Sequence, residues 1–204
     1  MTIATSPHLP ADERKLGLSV RKFADDFRVP MSYVLFTALV AWEILDSTPA
    51  KSGHEIGLGI SFIALGLAWR SWAAGTLHKG ISLAVAGPYS LCRHPLYLGS
   101  ALMMAGFCHL ICRPSHYLPV LGILLSIYVC TMAQEETRIA QRYGLAWNGY
   151  AACTPRLFPW RPLSYRPGRW ELRMWLRNHE YRAVLGVAAG LLGFAASRYF
   201  VLGL

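Results

Sequence analysis

Five unbroken apolar runs constrain this chain more than any other feature of it. They cover residues 30–46, 56–72, 95–112, 117–134 and 183–204. Each is close to the ~20 residues that a helix needs to cross ~30 Å of hydrocarbon. The runs do not alternate apolar with polar residues, which argues against the strands of a membrane barrel. The three middle runs hold no Lys, Arg, Asp or Glu except Arg70, near one end. Charged residues make up 15% of the 204-residue chain, against ~25% in a typical soluble domain. A disordered chain is excluded on the same grounds. The expected fold is all-α: an integral membrane helical bundle of about five spans, forming one domain over 1–204.

Charge orients this bundle. All but three of the Lys and Arg residues fall in 1–30, 70–94 and 135–182; the exceptions are Lys51, Arg113 and Arg198. Basic residues mark cytoplasmic segments, so the N-terminus and both long connections are expected in the cytoplasm and the C-terminus outside. Residues 1–29 have no apolar core and are expected to be a cytoplasmic lead-in rather than a signal peptide. The +9 net charge is thus assigned to membrane-flanking loops, with no nucleic acid as partner. The arginines of 156–182 could also hold anionic headgroups.

The five cysteines form no CxxC pair and lie mostly in or beside apolar runs, where thiols are packing residues. Cys108-His109-x-x-Cys112 lacks an acidic or fourth thiol partner, so no metal site is expected. Glu55-Ile56-Gly57-Leu58-Gly59 echoes a nucleotide-binding glycine loop, but it opens an apolar run and follows no strand. Gly186-x-x-x-Gly190 is a small-residue face expected to pack within the bundle.

The polar chemistry concentrates in two places. Gly87-Pro88 predicts a turn, and Pro95 suits the first turn of a helix. Arg93 and His94 therefore stand just before a helix N-terminus, where free N–H groups and the helix dipole already favour an anion. A snorkelling arginine beside an interfacial tyrosine would have the same pattern. At the end of the fourth run stand Glu135, Glu136 and Arg138. Two carboxylates at a bilayer edge are costly unless they serve something, such as a cation. Tyr143, Trp147, Tyr150 and Pro155-Arg156-Leu157-Phe158-Pro159 follow as an aromatic interfacial segment. Anion donors, carboxylates and an aromatic wall together suit a zwitterionic cofactor with a cationic centre, such as S-adenosylmethionine.

Gly87-Pro88-Tyr89, then Arg93-His94-Pro95-x-Tyr97-x-Gly99, Glu135-Glu136, Tyr143-Gly144, Tyr150 and Pro155-Arg156-x-x-Pro159 occur in this order. In that order and spacing they resemble the isoprenylcysteine carboxyl methyltransferase family, itself similar to the membrane phospholipid N-methyltransferases. The resemblance covers roughly residues 70–160, the expected cofactor-binding core. It implies a small membrane enzyme that uses S-adenosylmethionine. It places Tyr89, His94, Pro95, Leu96 and Tyr97 around the cofactor, adds backbone contacts from Ile81, Ser82, Leu83 and Ala84, and sets Glu135 at the cofactor's cationic end. Eukaryotic members carry an Arg for the prenylcysteine carboxylate four residues before the first Glu; this chain has Thr131 there. Arg93, Arg138 and Arg156 are the candidates to hold the acceptor instead. The acceptor would be a lipophilic small molecule or a prenylated cysteine that enters laterally from membrane lipid.

No catalytic residue is assigned. A carboxylate acceptor needs no base, whereas an amine or thiol acceptor would give its proton to His94 or Glu136. Phospholipid N-methylation and thiol S-methylation are the nearest alternatives. A non-enzymatic membrane scaffold and a sterol-type reductase with a nicotinamide cofactor are the competing classes.

Overall fold

Among residues 52–78, 82–111, 114–159 and 165–202, which the computed structural model describes, every regular element is helical and no strand occurs. The expected lead-in 1–29, the first apolar run 30–46, Ile81 and Cys112 lie outside these residues.

Helix α1, Gly53–Thr76, is opened by a capping box. The Ser52 hydroxyl accepts from the Glu55 N–H, and the Glu55 carboxylate accepts from the Ser52 N–H at 2.8 Å. The glycines of 55–59 are thus the first turns of a helix. Helix α1 is long and apolar enough to cross a membrane; α2, Pro95–Ile111, is apolar and shorter. Pro95 begins α2, as its missing N–H predicts. Helix α3, Pro114–Tyr143, runs unbroken through Glu135 and Glu136. Gly144, at φ +51°, separates it from α4, Leu145–Cys153. Helices α5, Leu172–Arg177, and α6, Tyr181–Leu202, complete the described chain.

Over the connection 73–94, where the sequence expectation is a cytoplasmic helix closing on the cofactor, only 73–76 are α-helical among the described residues. Helix α1 stops at Thr76, and the described residues from Ser82 to His94 form a loop with a 3-10 turn at Gly87–Ser90. Gly87 takes φ +60°, and Pro88 has no N–H to donate, so a helix could not pass through them.

Glycines set the contact between α1 and α2. A Cβ on Gly66 would lie 2.6 Å from the Gly99 carbonyl oxygen, and one on Gly106 would lie 2.6 Å from the Gly59 carbonyl oxygen. Gly59 faces Gly106 and Gly66 faces Gly99, so the two helices run antiparallel. Each pair is seven residues apart, about two turns, which keeps both glycines of a helix on one face. Backbone meets backbone there. In α6, Gly190 fits against the Phe107 ring, while Gly186 has no neighbour within 4 Å. Only one half of the expected small-residue face is used for packing among the described residues.

Arg70 joins three elements. Its Nε lies 2.7 Å from Glu180 Oε1, just before α6, and its Nη1 donates to the Ser100 hydroxyl of α2. The extended stretch before α5 crosses the end of α1 and the 3-10 turn. Gly87 N–H donates to the Arg166 carbonyl at 2.8 Å, and Glu171 N–H to the Gly75 carbonyl at 2.9 Å. The turn that carries Tyr89 is thereby pinned to α1.

Candidate functional site

The loop before α2, the polar end of α3 and the segment after α4 converge. Arg93 N–H donates to the Pro155 carbonyl at 2.9 Å, and His94 N–H to the Arg156 carbonyl at 3.1 Å. The Tyr150 hydroxyl donates to the Tyr89 carbonyl at 2.7 Å. These main-chain bonds fix Arg93 and His94 at the mouth of α2 and bring Arg156 beside them, 62 positions on from His94 by number alone.

The two adjacent glutamates have opposite surroundings. Glu136 is a hub. Its carboxylate accepts from Arg156 through Nε at 3.1 Å and Nη2 at 2.5 Å, and from His94 Nε2 at 3.0 Å, and it pairs with Arg93 Nη1 at 2.9 Å. Burial alone would raise its pKa. The hydrogen bonds from Arg156 and His94 and the charge on Arg93 outweigh burial and hold Glu136 below the ordinary carboxyl value. Arg93 also lies 5.8 Å over the Trp147 ring, which shields one face of the guanidinium.

Glu135 turns away from these cations. It accepts from the Tyr97 hydroxyl at 3.0 Å and makes no ion pair among the described residues. The Tyr97 ring meets His94 edge-on at 5.6 Å and Tyr128 edge-on at 5.4 Å. Tyr89 is 7% exposed, and its hydroxyl has no hydrogen-bond partner among the described residues. Burial raises the Tyr89 pKa well above its ordinary value, and the nearby Glu135 charge adds to this. The hydroxyl is therefore a buried donor still in need of an acceptor.

His94 is 4% exposed. Burial, the largest influence, drives its imidazole below the ordinary value of 6.5, against the pull of Glu136 and Glu135. A neutral ring facing an ionised Glu136 must carry its proton on Nε2, which leaves Nδ1 to accept. Because the folded value is lowered, protonation opposes folding, and any stability tied to this ring is lost as pH falls through 6.5. The His94 titration followed by NMR is expected below 6.5. Glu136→Gln is expected to move it lower still, since the carboxylate supports the protonated form. A midpoint at or above 6.5 would contradict this environment.

Most of the expected site residues meet here: Tyr89, Arg93, His94, Pro95, Tyr97, Glu135 and Arg156. Leu96 is half-buried on the first turn of α2. Ser82 is exposed and Leu83 and Ala84 are half-buried in the loop leading to the 3-10 turn. Arg138 is exposed on α3 and lies outside the Glu136 cluster. Sequence reasoning missed three features: the hub role of Glu136, the Tyr150–Tyr89 bond and the Arg70–Glu180–Ser100 link. Only the hub had a sequence signal, a carboxylate among an excess of nearby arginines.

No family model matches the chain, and no solved structure matches it. The chain is 38% identical to the Delta(14)-sterol reductase TM7SF2 of Mus musculus over 84 residues, which are 40% of this chain and 20% of that protein. It is 24% identical over 161 residues to the nickel-cobalt-cadmium resistance protein NccN of Alcaligenes xylosoxydans xylosoxydans, covering 78% and 75% of the two chains. It is 27% identical over 150 residues to the cobalt-zinc-cadmium resistance protein CzcN of Cupriavidus metallidurans, covering 72% and 68%. The chain thus spans about a fifth of the sterol reductase and most of the two resistance proteins.

Proposed function

We propose that this chain is an integral membrane methyltransferase that uses S-adenosylmethionine to methylate a lipophilic acceptor at the cytoplasmic face. One observation carries the reading. Of two adjacent carboxylates, Glu136 is neutralised by cations, while Glu135 has no ion pair among the described residues and stands beside Tyr97 and the buried Tyr89 hydroxyl. An unneutralised carboxylate against aromatic rings fits a cationic ligand, and a buried orphan hydroxyl fits one that also offers an acceptor.

Outward-facing apolar side chains support the membrane part. Leu58, Ile60 and Leu65 on α1, Ile123 and Val129 on α3, and Leu185 and Leu192 on α6 are exposed. Hydrocarbon, rather than water, suits so many exposed apolar groups on three helices. Arg70 is bonded on two sides, as an arginine near the end of a span must be. In this reading the N-terminus is cytoplasmic and the C-terminus lies outside.

Tyr89, His94, Pro95, Leu96, Tyr97 and Glu135, with the main chain of 81–84, would hold the cofactor, as in the family the sequence resembles. When bound, S-adenosylmethionine supplies an already activated methyl group, so the protein has little bond-breaking left to assist. The Glu135 carboxylate binds the cationic end, and Tyr97 fixes the orientation of that carboxylate. The aromatic rings exclude water. His94 is the group suited to take a proton from an amine or thiol acceptor, through Nδ1. Glu136 is unsuited, because its oxygens are occupied by three cationic or hydrogen-bonding partners. Two guanidiniums, Arg93 and Arg156, face one carboxylate, so net positive charge remains for an acidic acceptor. This favours carboxyl O-methylation of an isoprenylcysteine-like acceptor.

The test is methyl-labelled S-adenosylmethionine given to the purified chain with membrane lipids and a prenylcysteine analogue. Base treatment that releases volatile labelled methanol means a methyl ester. Base-stable label means N- or S-methylation. The identity with the sterol reductase favours a second reading, nicotinamide-dependent reduction on the same framework. No transferred label, together with reduction of a sterol double bond by a reduced nicotinamide, would replace the first reading with the second.

A further inference from the structure

We infer that α5 and the strap before it form a binding surface for anionic phospholipid headgroups at the cytoplasmic edge of the bilayer. The inference rests on the membrane reading above and is independent of the methyl-transfer chemistry.

Helix α5 is seated on the C-terminal end of α1, where that span leaves the hydrocarbon. Asn178 Nδ2 donates to the Ala74 and Leu77 carbonyls, both at 2.9 Å. The Trp170 and Trp175 indole N–H groups donate to the carbonyl and hydroxyl oxygens of Ser71. Met174 is buried against the protein. These contacts define the inner side of α5 and leave the other side outward.

The outward side has two stripes. Leu172 and Leu176 are 57% and 50% exposed, and Trp170 beside them is 46% exposed. Arg173 and Arg177 form the adjacent stripe at i, i+4 spacing and are exposed, with no ion pair among the described residues. Arg169 on the strap is 88% exposed, and its nearest carboxylate, Glu171, is 3.9 Å away. The other nearby carboxylate, Glu180, is 2% exposed and paired with Arg70. Among the described residues three guanidiniums therefore lack a full counter-charge, and they stand beside leucines at the level where α1 ends. Leucines reaching acyl chains and arginines reaching phosphates is the arrangement of an interfacial helix. A nucleic acid would satisfy the arginines but not the exposed leucines.

The experiment reconstitutes the full chain into phosphatidylcholine vesicles at low salt and compares spin-labelled phosphatidylglycerol with spin-labelled phosphatidylcholine by electron paramagnetic resonance. Preferential immobilisation of the anionic lipid is expected, by roughly five-fold, falling as salt rises. In the Arg169→Gln/Arg173→Gln/Arg177→Gln variant the ratio is expected to fall to near one with helical content unchanged. Arg198→Gln, at the other end of α6, is expected to leave the ratio unaltered. Should the triple variant not fold, Arg173→Gln alone is expected to lower the ratio about two-fold. A ratio near one in the native chain would overturn the inference. So would full preference in the folded arginine variant, or an equal loss in Arg198→Gln. A chain that stays out of vesicles would overturn the membrane reading and this inference with it.

Discussion

Glu135→Gln is expected to weaken S-adenosylmethionine binding about ten- to a hundred-fold and to leave the fold intact. A charge-assisted contact contributes ~1.5–3 kcal/mol, which converts to roughly that range in Kd. A glutamine oxygen still accepts from the Tyr97 hydroxyl, so local packing survives. The neighbouring change should behave differently. Glu136→Gln removes the charge shared by Arg93, His94 and Arg156. Breaking a buried pair by removing one partner costs ~3–5 kcal/mol. The lower end, about 3 kcal/mol, applies here because Arg156 is 41% exposed and can turn to water. Its main effect is then a lowered Tm in detergent. The pair of variants separates a ligand-binding carboxylate from a structural one. Equal loss of binding without loss of stability in both would contradict the division of roles.

Gly66→Ala and Gly99→Ala are expected to be severely destabilising, although Ala is normally the better helix former by about 1 kcal/mol. The added Cβ would lie 2.6 Å from the Gly99 carbonyl oxygen in the first case and 2.7 Å from the Gly66 carbonyl oxygen in the second. Backbone atoms cannot rotate away as a side chain would, so the helices must separate. Overpacking of this kind costs ~1–3 kcal/mol or more. Separation would also pull Arg70 from Ser100, because Gly99 packs directly on the Arg70 Cβ. Gly57→Ala is the internal comparison, since a Cβ added there meets no atom of another element within 4 Å among the described residues. It should leave the Tm unchanged or slightly raised. Thermal unfolding of the three variants in one detergent decides the matter. A Gly66→Ala Tm equal to that of Gly57→Ala would contradict the close α1–α2 contact.

Local signals explain what the sequence revealed of this fold. Pro95 opens α2, Gly87-Pro88 makes the turn, and Glu135 and Glu136 lie on the continuation of a long helix, because each depends on neighbours a few residues away. The α1–α2 glycine contact was invisible for a geometric reason. Its glycines recur every seven residues on two separate helices, whereas Gly186 and Gly190 draw attention by their four-residue spacing. A helix over 73–94 conflicts with the turn that Gly87 and Pro88 impose within it. Arg93 and Arg156 stood out through the helix start at Pro95 and the Pro155-Arg156-x-x-Pro159 motif. Their shared partner Glu136 is 43 positions from one and 20 from the other, and the Pro155–Arg93 and Arg156–His94 main-chain bonds hold the two arginines side by side against it.

Calorimetric titration of the purified chain with S-adenosylmethionine, and in parallel with a reduced nicotinamide dinucleotide, tests the central claim most directly. The account predicts saturable one-to-one binding of S-adenosylmethionine, lost in Glu135→Gln, and no binding of the nicotinamide. Saturable binding of the nicotinamide, with none of S-adenosylmethionine, would contradict it.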